Sequence, residues 1–170
     1  MDRRNLLRAA PLGGAVLAMV AAGGGAALAA AGDDGNKLMD RLIDAINTHD
    51  VAKFDQIYAS GGYTNHQALL MNHAGATHLM GRDQAKKYFA ARFKAFPDVT
   101  LRTDIRVASG DLIAANLVWE GTQKGPYLGI PASGKKVAWN STDILRVRDG
   151  FFVEHWGAVD FYGLVKQLKG

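Results

Sequence analysis

The sequence contains no cysteine. Disulfides, thiolate metal sites and a cysteine nucleophile are therefore excluded. Also absent are the G-x-S-x-G elbow of serine hydrolases, a P-loop, and G-x-G-x-x-G at a strand–helix junction. Elbow-type hydrolases, nucleotidases and dinucleotide enzymes lose their sequence support with them. No cluster of Lys and Arg with interleaved aromatics lies on any one element, so nucleic acid is not an indicated partner. The net charge of +4 does not restore that case, because three arginines and one aspartate in residues 1–8 supply half of it. His66, His73 and His78 are seven and five residues apart, which is not the i, i+4 spacing of a helical metal site. Neither metal nor cofactor is indicated.

What is present begins with "MDRRNLLRAA", a basic start, followed by a weakly apolar stretch rich in Gly and Ala. Ala27-Leu28-Ala29 offers a small-residue cleavage site. Residues 1–29 thus read as an export signal, and Arg3 and Arg4 before Leu6 and Leu7 give it a twin-arginine character. Asp2 and Leu6 depart from the usual twin-arginine pattern. The expected location is periplasmic or extracellular. The Gly clusters argue against a permanent membrane span, so no membrane partner is expected once the signal is removed.

Residues 30–170 read as one domain. The 170-residue chain is long enough for a sizeable core, and 48% of it is hydrophobic. Met39, Leu42, Ile43 and Ile46 form one helical stripe over residues 33–47, with Asp33 and Asp34 available as caps. Asp50 starts a short second helix that turns Val51, Phe54 and Ile57 inward and ends at Gly61-Gly62. An irregular loop with one short extended piece follows. Asp83 can cap a third helix reaching Phe96, with Ala85, Tyr88, Phe89, Phe93 and Phe96 on one face, and Pro97 stops it. The period then changes to two. "VTLRTDIRV", "LIAANLVWEGT", "VAWNSTDILRV" and "FFVEHW" are strands, and a short helical tail closes the chain. Helices grouped ahead of an antiparallel sheet indicate an α+β fold. The expected form is N-terminal helices packed on a strongly curved antiparallel sheet, a cone-shaped barrel with an internal pocket.

Four pieces in order resemble the SnoaL-like polyketide cyclases, or ester cyclases, of the nuclear-transport-factor-2-like superfamily. They are "AFPDVTL", "GTQKGPYLGIPASGKKV", "DILRVRDGFFVEHW" and "DFYGLVKQLKG", and with the helix order they span roughly residues 37–170. The family pattern commonly has His where this chain has Gln123. The resemblance implies a deep pocket and a cofactor-free intramolecular aldol ring closure. It also implies a general acid/base at Asp160, beyond the last strand. A homodimer through exposed sheet is a further possibility within this superfamily.

Read from their own surroundings, these residues keep two readings each. Asp160 lies between Val159 and Phe161, where desolvation would raise its pKa and suit it to proton abstraction beside a carbonyl. It is equally placed to cap the tail helix. His155 and Trp156 alternate, so only one of them faces inward. A two-residue turn at Asp149-Gly150 sets Val147 opposite Phe152 and Asp143 opposite Trp156. A three-residue turn with a bulge sets Asp143 opposite His155. Glu154 and Arg146 form a structural cross-strand pair. His66 is either a donor to a substrate carbonyl or an exposed loop histidine. Tyr63, Trp119, Tyr127 and Trp139 line the pocket or belong to the core. The expected catalytic set is Asp160, His66 and Asp143. The expected substrate contacts are Trp156, His155, Tyr63, Trp119, Trp139 and Tyr127. The expected function is acid/base chemistry, by aldol cyclisation or isomerisation, on a small apolar carbonyl compound. The alternative is a non-catalytic binder of a small molecule in the same pocket.

Overall fold

A computed structural model describes the backbone of residues 20–67 and 78–170, with side chains from residue 33 onward. The elements run in order as helix α1 (Val20–Asn47), a 3₁₀ turn (Val51–Gln56), strands β1 (Tyr63–Asn65) and β2 (His78–Met80), helix α2 (Arg82–Ala95), strands β3 (Thr100–Ser109), β4 (Leu112–Thr122), β5 (Lys136–Arg148) and β6 (Phe151–Val159), and helix α3 (Phe161–Lys169). The expected signal falls largely on residues 1–19, outside the described residues. Its last part, from Val20, is continuous with α1. Asp33 and Asp34 therefore lie inside a helix and do not cap one. The Ala-rich segment before them has high helix propensity, which extends the helix backward. No helix among the described residues is long and apolar enough to cross a membrane.

The sheet has the order β2-β1-β6-β5-β4-β3. All neighbours are antiparallel except β1 and β6, which pair in parallel. The sheet is thus mixed. It is curled but open, with β2 and β3 as its edges. A bulge in β3 at Asp104 and one in β6 at Val153 interrupt the ladders. Such bulges bend a strand and increase its twist.

α1 covers the concave face. Leu38, Met39, Leu42, Ala45 and Ile46 are buried, and the helix packs on β3, β4 and β5. Each large side chain so buried contributes about 1.5–3 kcal/mol. Asn47 pins the helix end, because its Oδ1 accepts the Leu101 N–H at 2.7 Å and its amide donates to the Leu101 carbonyl at 3.0 Å. Asp50 caps the 3₁₀ turn as expected, accepting the Ala52 N–H at 2.9 Å. α2 differs from expectation. Gly81 holds its cap position without a side-chain bond, and Asp83 lies in the first turn. There its charge complements the helix dipole.

Period-two alternation carries the sheet. Along β4, Ile113, Ala115, Leu117 and Trp119 point into the core, while Ile105, Val107 and Ile144 stand exposed on the sheet. Along β5, the inward row is Val137, Trp139, Ser141, Asp143 and Leu145. Two polar residues thus interrupt an apolar row at its middle.

Candidate active site

The polar interruption of β5 opens on a narrow cavity between the sheet, α1 and α2. Its internal volume is about 60 Å³, and it opens to solvent. Apolar walls come from Leu42, Phe89, Leu117 and Leu145, and polar groups from Asn65, Gln67, Arg92, Ser141, Asp143 and His155. Tyr58, Tyr63, Tyr88 and Trp119 complete the lining.

The hairpin that carries Asp143 and His155 begins in the register of the two-residue turn and then departs from both expected registers. Asp149 and Gly150 both have positive φ, of 51° and 76°, the signature of a two-residue type I′ turn. Val147 accordingly faces Phe152. The bulge at Val153 then adds one residue to β6, so Leu145 faces His155, Ile144 faces Trp156 and Asp143 faces Gly157. His155 takes the inward side and Trp156 the outward side.

Asp143 and His155 meet inside the cavity. His155 Nε2 lies 3.0 Å from Asp143 Oδ1. The other carboxylate oxygen accepts the Ser141 hydroxyl at 3.1 Å, and Ser141 Oγ in turn accepts Trp119 Nε1–H at 3.0 Å. Both side chains of the pair are about 15% exposed, at 15% for Asp143 and 14% for His155. A carboxylate held by two donors orients the imidazole and fixes which nitrogen carries the proton. Gly157 makes the approach possible. A Cβ at that position would stand 2.7 Å from His155 Nε2 and 2.8 Å from Asp143 Oδ1.

A second polar group stands on α2. Arg92 is 5% exposed, and its guanidinium lies 4.5 Å from the Trp119 ring centre and 4.9 Å from that of Tyr88. Nη2 donates to the Tyr88 hydroxyl at 2.5 Å and to the Tyr127 hydroxyl at 3.2 Å. Burial pushes the Tyr58, Tyr63 and Tyr88 phenols above their ordinary range, so they stay protonated. Burial weakens the hold of Arg92 on its proton. Tyr88, Tyr127 and the Asp143 carboxylate outweigh that effect, and the arginine remains charged.

Of the residues singled out from sequence, Asp143, His155, Tyr63 and Trp119 line the cavity. Trp139 stands behind Trp119, with ring centres 5.9 Å apart and planes within 6°. Tyr127 reaches the site only through Arg92. His66 and Trp156 are elsewhere. They stack on each other at 4.6 Å, and His66 Nε2 bonds Glu154 Oε1 at 2.9 Å. Glu154 also pairs with Arg146 at 2.8 Å, as expected for a structural pair.

Asp160 is exposed and caps α3, accepting the Gly163 N–H at 2.8 Å. It borders a shallow depression that shares Gln67 and Val159 with the cavity. The structure thus puts it beside the mouth and gives it the capping geometry. Gln123, where the family pattern has His, is fully buried. It donates to the Ile130 carbonyl at 3.2 Å and accepts the Ser133 N–H at 3.0 Å, closing the β4–β5 connection.

Sequence reasoning missed Arg92, Tyr58, Asn65 and Ser141, and took Tyr88 only as part of a helix stripe. The signal for Arg92 was available. It lies four residues after Tyr88 and three after Phe89, so it sits within the apolar stripe of α2.

The pattern of the SnoaL-like polyketide cyclases matches residues 36–168. The chain belongs to that family. Solved structures agree with this. TsrD from Streptomyces laurentii is 28% identical, with a TM-score of 0.69 over 80% of this chain and 95% of its own. IdmH from Streptomyces antibioticus, a proposed polyketide cyclase, is 26% identical with a TM-score of 0.68, over 80% of this chain and 99% of its own. AclR from Streptomyces galilaeus, a proposed hydroxylase, is 22% identical with a TM-score of 0.69, over 81% and 97%. At that identity AclR shares the fold alone. No curated relative matches the chain in sequence. The SnoaL-like membership supports an enzyme, and the range of described activities on this one fold leaves the reaction to be argued from the site.

Proposed function

We propose that this SnoaL-like protein catalyses cofactor-independent proton transfer on a small carbonyl compound, of the aldol cyclisation or isomerisation type. The observation that carries this reading is the Asp143–His155 pair inside an apolar cavity. With Asp143 accepting from His155 Nε2–H, the neutral imidazole keeps an unprotonated Nδ1. That nitrogen takes a proton from the carbon beside the carbonyl, leaving an enolate. Asn65 is paired with His155 across β1 and β6 and lines the cavity. Its Oδ1 accepts the Gln67 N–H at 2.7 Å, so its NH₂ group is the donor available to the enolate oxygen. In ring closure the enolate carbon attacks a second carbonyl, and the alkoxide formed recovers the proton from His155.

The test is hydrogen exchange next to the ketone, followed by NMR in D₂O, on a panel of small alkyl and aryl ketones. Wild type should accelerate exchange, and Asp143→Asn should lose about 10²–10⁴-fold of that acceleration. Equal rates for the two proteins would reject the assignment. A second reading, a non-catalytic binder, is favoured by one fact. Both oxygens of Asp143 already have partners within the protein. It predicts ligand-induced stabilisation without any exchange.

Export belongs to the same proposal and rests on residues 1–29. A reporter fused to them should leave the cytoplasm, and Arg3→Lys with Arg4→Lys should retain it there. A homodimer over the sheet face that exposes Ile105, Val107 and Ile144 is the accompanying assembly, and sedimentation measures its mass.

A further inference from the structure

Arg92 is a buried cation that makes no direct ion pair among the described residues. Its hydrogen-bond acceptors are two phenol oxygens, and its remaining neighbours are aromatic faces. Nε is buried and has no partner among the described residues. Asp143, the carboxylate that shares the cavity, is already taken by His155 and Ser141. A buried charge left without an anion is strongly unfavourable, and such a site gains most from an anion that arrives with the ligand.

The surroundings suit that anion. Tyr88 and Tyr127 accept from Nη2, and the two phenols also meet each other, so one hydroxyl proton between them remains to donate. The guanidinium carbon lies over the Trp119 and Tyr88 rings, and Nη2 is bonded to two phenols, which together hold its fork in place. Nη1 has no acceptor among the described residues, and Arg92 lines the cavity. A planar carboxylate meets a planar guanidinium in two parallel bonds.

We propose that Arg92, with the Tyr88 hydroxyl beside it and Tyr127 holding it from behind, anchors a carboxylate of the ligand, so that the cavity takes a keto acid in preference to the neutral ketone or ester. This rests on the reading above that the cavity is the ligand site. It places two poles in one chamber. The acid binds at α2, and its carbonyl lies towards Asn65 and His155.

The test is equilibrium binding of a matched pair, 4-oxo-4-phenylbutanoate and its methyl ester, measured by calorimetry on the purified protein. Wild type should bind the acid at least about tenfold more tightly than the ester, since a charge-assisted bidentate pair is lost in the ester. Arg92→Met should bring the two affinities together. Arg92→Lys keeps the charge without the planar fork and should keep part of the preference. It also stands in should the Met variant fail to fold. Equal binding of acid and ester by wild type would overturn the proposal. So would absence of acid binding at millimolar concentration, or a wild-type preference preserved in both variants. Ketone exchange is followed separately on the same samples. A catalytic reading that fails therefore shows as lost exchange, and an anion site that fails shows as lost preference.

Discussion

His155 Nε2 and Asp143 Oδ1 lie 3.0 Å apart although their residues are not direct partners across the β5–β6 ladder. Asp143 faces Gly157, and the imidazole leans diagonally over that glycine to reach the carboxylate. Gly157→Ala should therefore separate the pair, since its methyl group would need the space both polar atoms use. Ketone exchange should fall about tenfold or more, because general-base catalysis depends on hydrogen-bond reach. The unfolding midpoint should move far less than the rate. An unchanged rate would mean that the pair takes no part in the reaction.

Asp160 provides a second contrast. Its carboxylate caps α3, and replacing a cap with Ala costs about 0.5–2 kcal/mol. Asp160→Ala should lower the thermal midpoint, whereas Asp160→Asn keeps the cap and should preserve both stability and exchange. Loss of exchange in the stable Asn variant would instead return the acid/base role to Asp160.

Much of the fold was legible because period alone decides it. β3 alternates at Leu101, Ile105 and Val107, β4 is legible as a long apolar run whose burial alternates in the structure, and the stripe Met39, Leu42 and Ile46 selects the covered face of α1. The site was legible in part. Asp143 and Ser141 betray themselves as polar residues in an inward row, once the strand is known to be half buried. Which of His155 and Trp156 turns inward was not legible, because the bulge at Val153 resets the register after the turn has set it. His66 followed the same fate. It neighbours Asn65 on β1, and adjacent residues on an extended chain take opposite faces. Chain position also suggested Asp160, but the end of β6 aims that carboxylate at the first turn of α3. Motif order carries no information about such orientation.

On the outer side of the sheet, Glu154 bonds His66 and Arg146 at once, and these partners hold its carboxyl below the ordinary 4.5. A folded-state pKa that is depressed gives stability that is fully present above the unfolded value. That stability is lost as pH falls through the folded one. The thermal midpoint of wild type should therefore exceed that of Glu154→Gln near neutral pH, and the gap should close in acid as pH falls below the ordinary 4.5 and through the depressed folded value. Midpoints of the two proteins recorded across that range decide the matter. A gap that persists undiminished at the acid end would show that packing, and not charge, supplies the difference.

Gln123 links loop structure to the anion pole. Its side chain spans the β4–β5 connection, donating to Ile130 and accepting from Ser133. Ile130 also exchanges two backbone bonds with Tyr127, each 2.9 Å. Tyr127 in turn offers its hydroxyl to Arg92. Gln123→Ala removes the side-chain bond to the Ser133 N–H and one of the two bonds to the Ile130 carbonyl, which keeps the Tyr127 N–H, at about 0.5–1.5 kcal/mol for each bond lost. Denaturant unfolding should register a loss of that order. The same substitution loosens the turn that carries Tyr127, so the preference for the keto acid over its methyl ester should shrink while the Asp143–His155 pair, on β5 and β6, keeps its geometry. A stability loss with the preference intact would show that Tyr127 is held by its edge-on contact with Phe96, at 5.0 Å, and not by the connection that Gln123 closes.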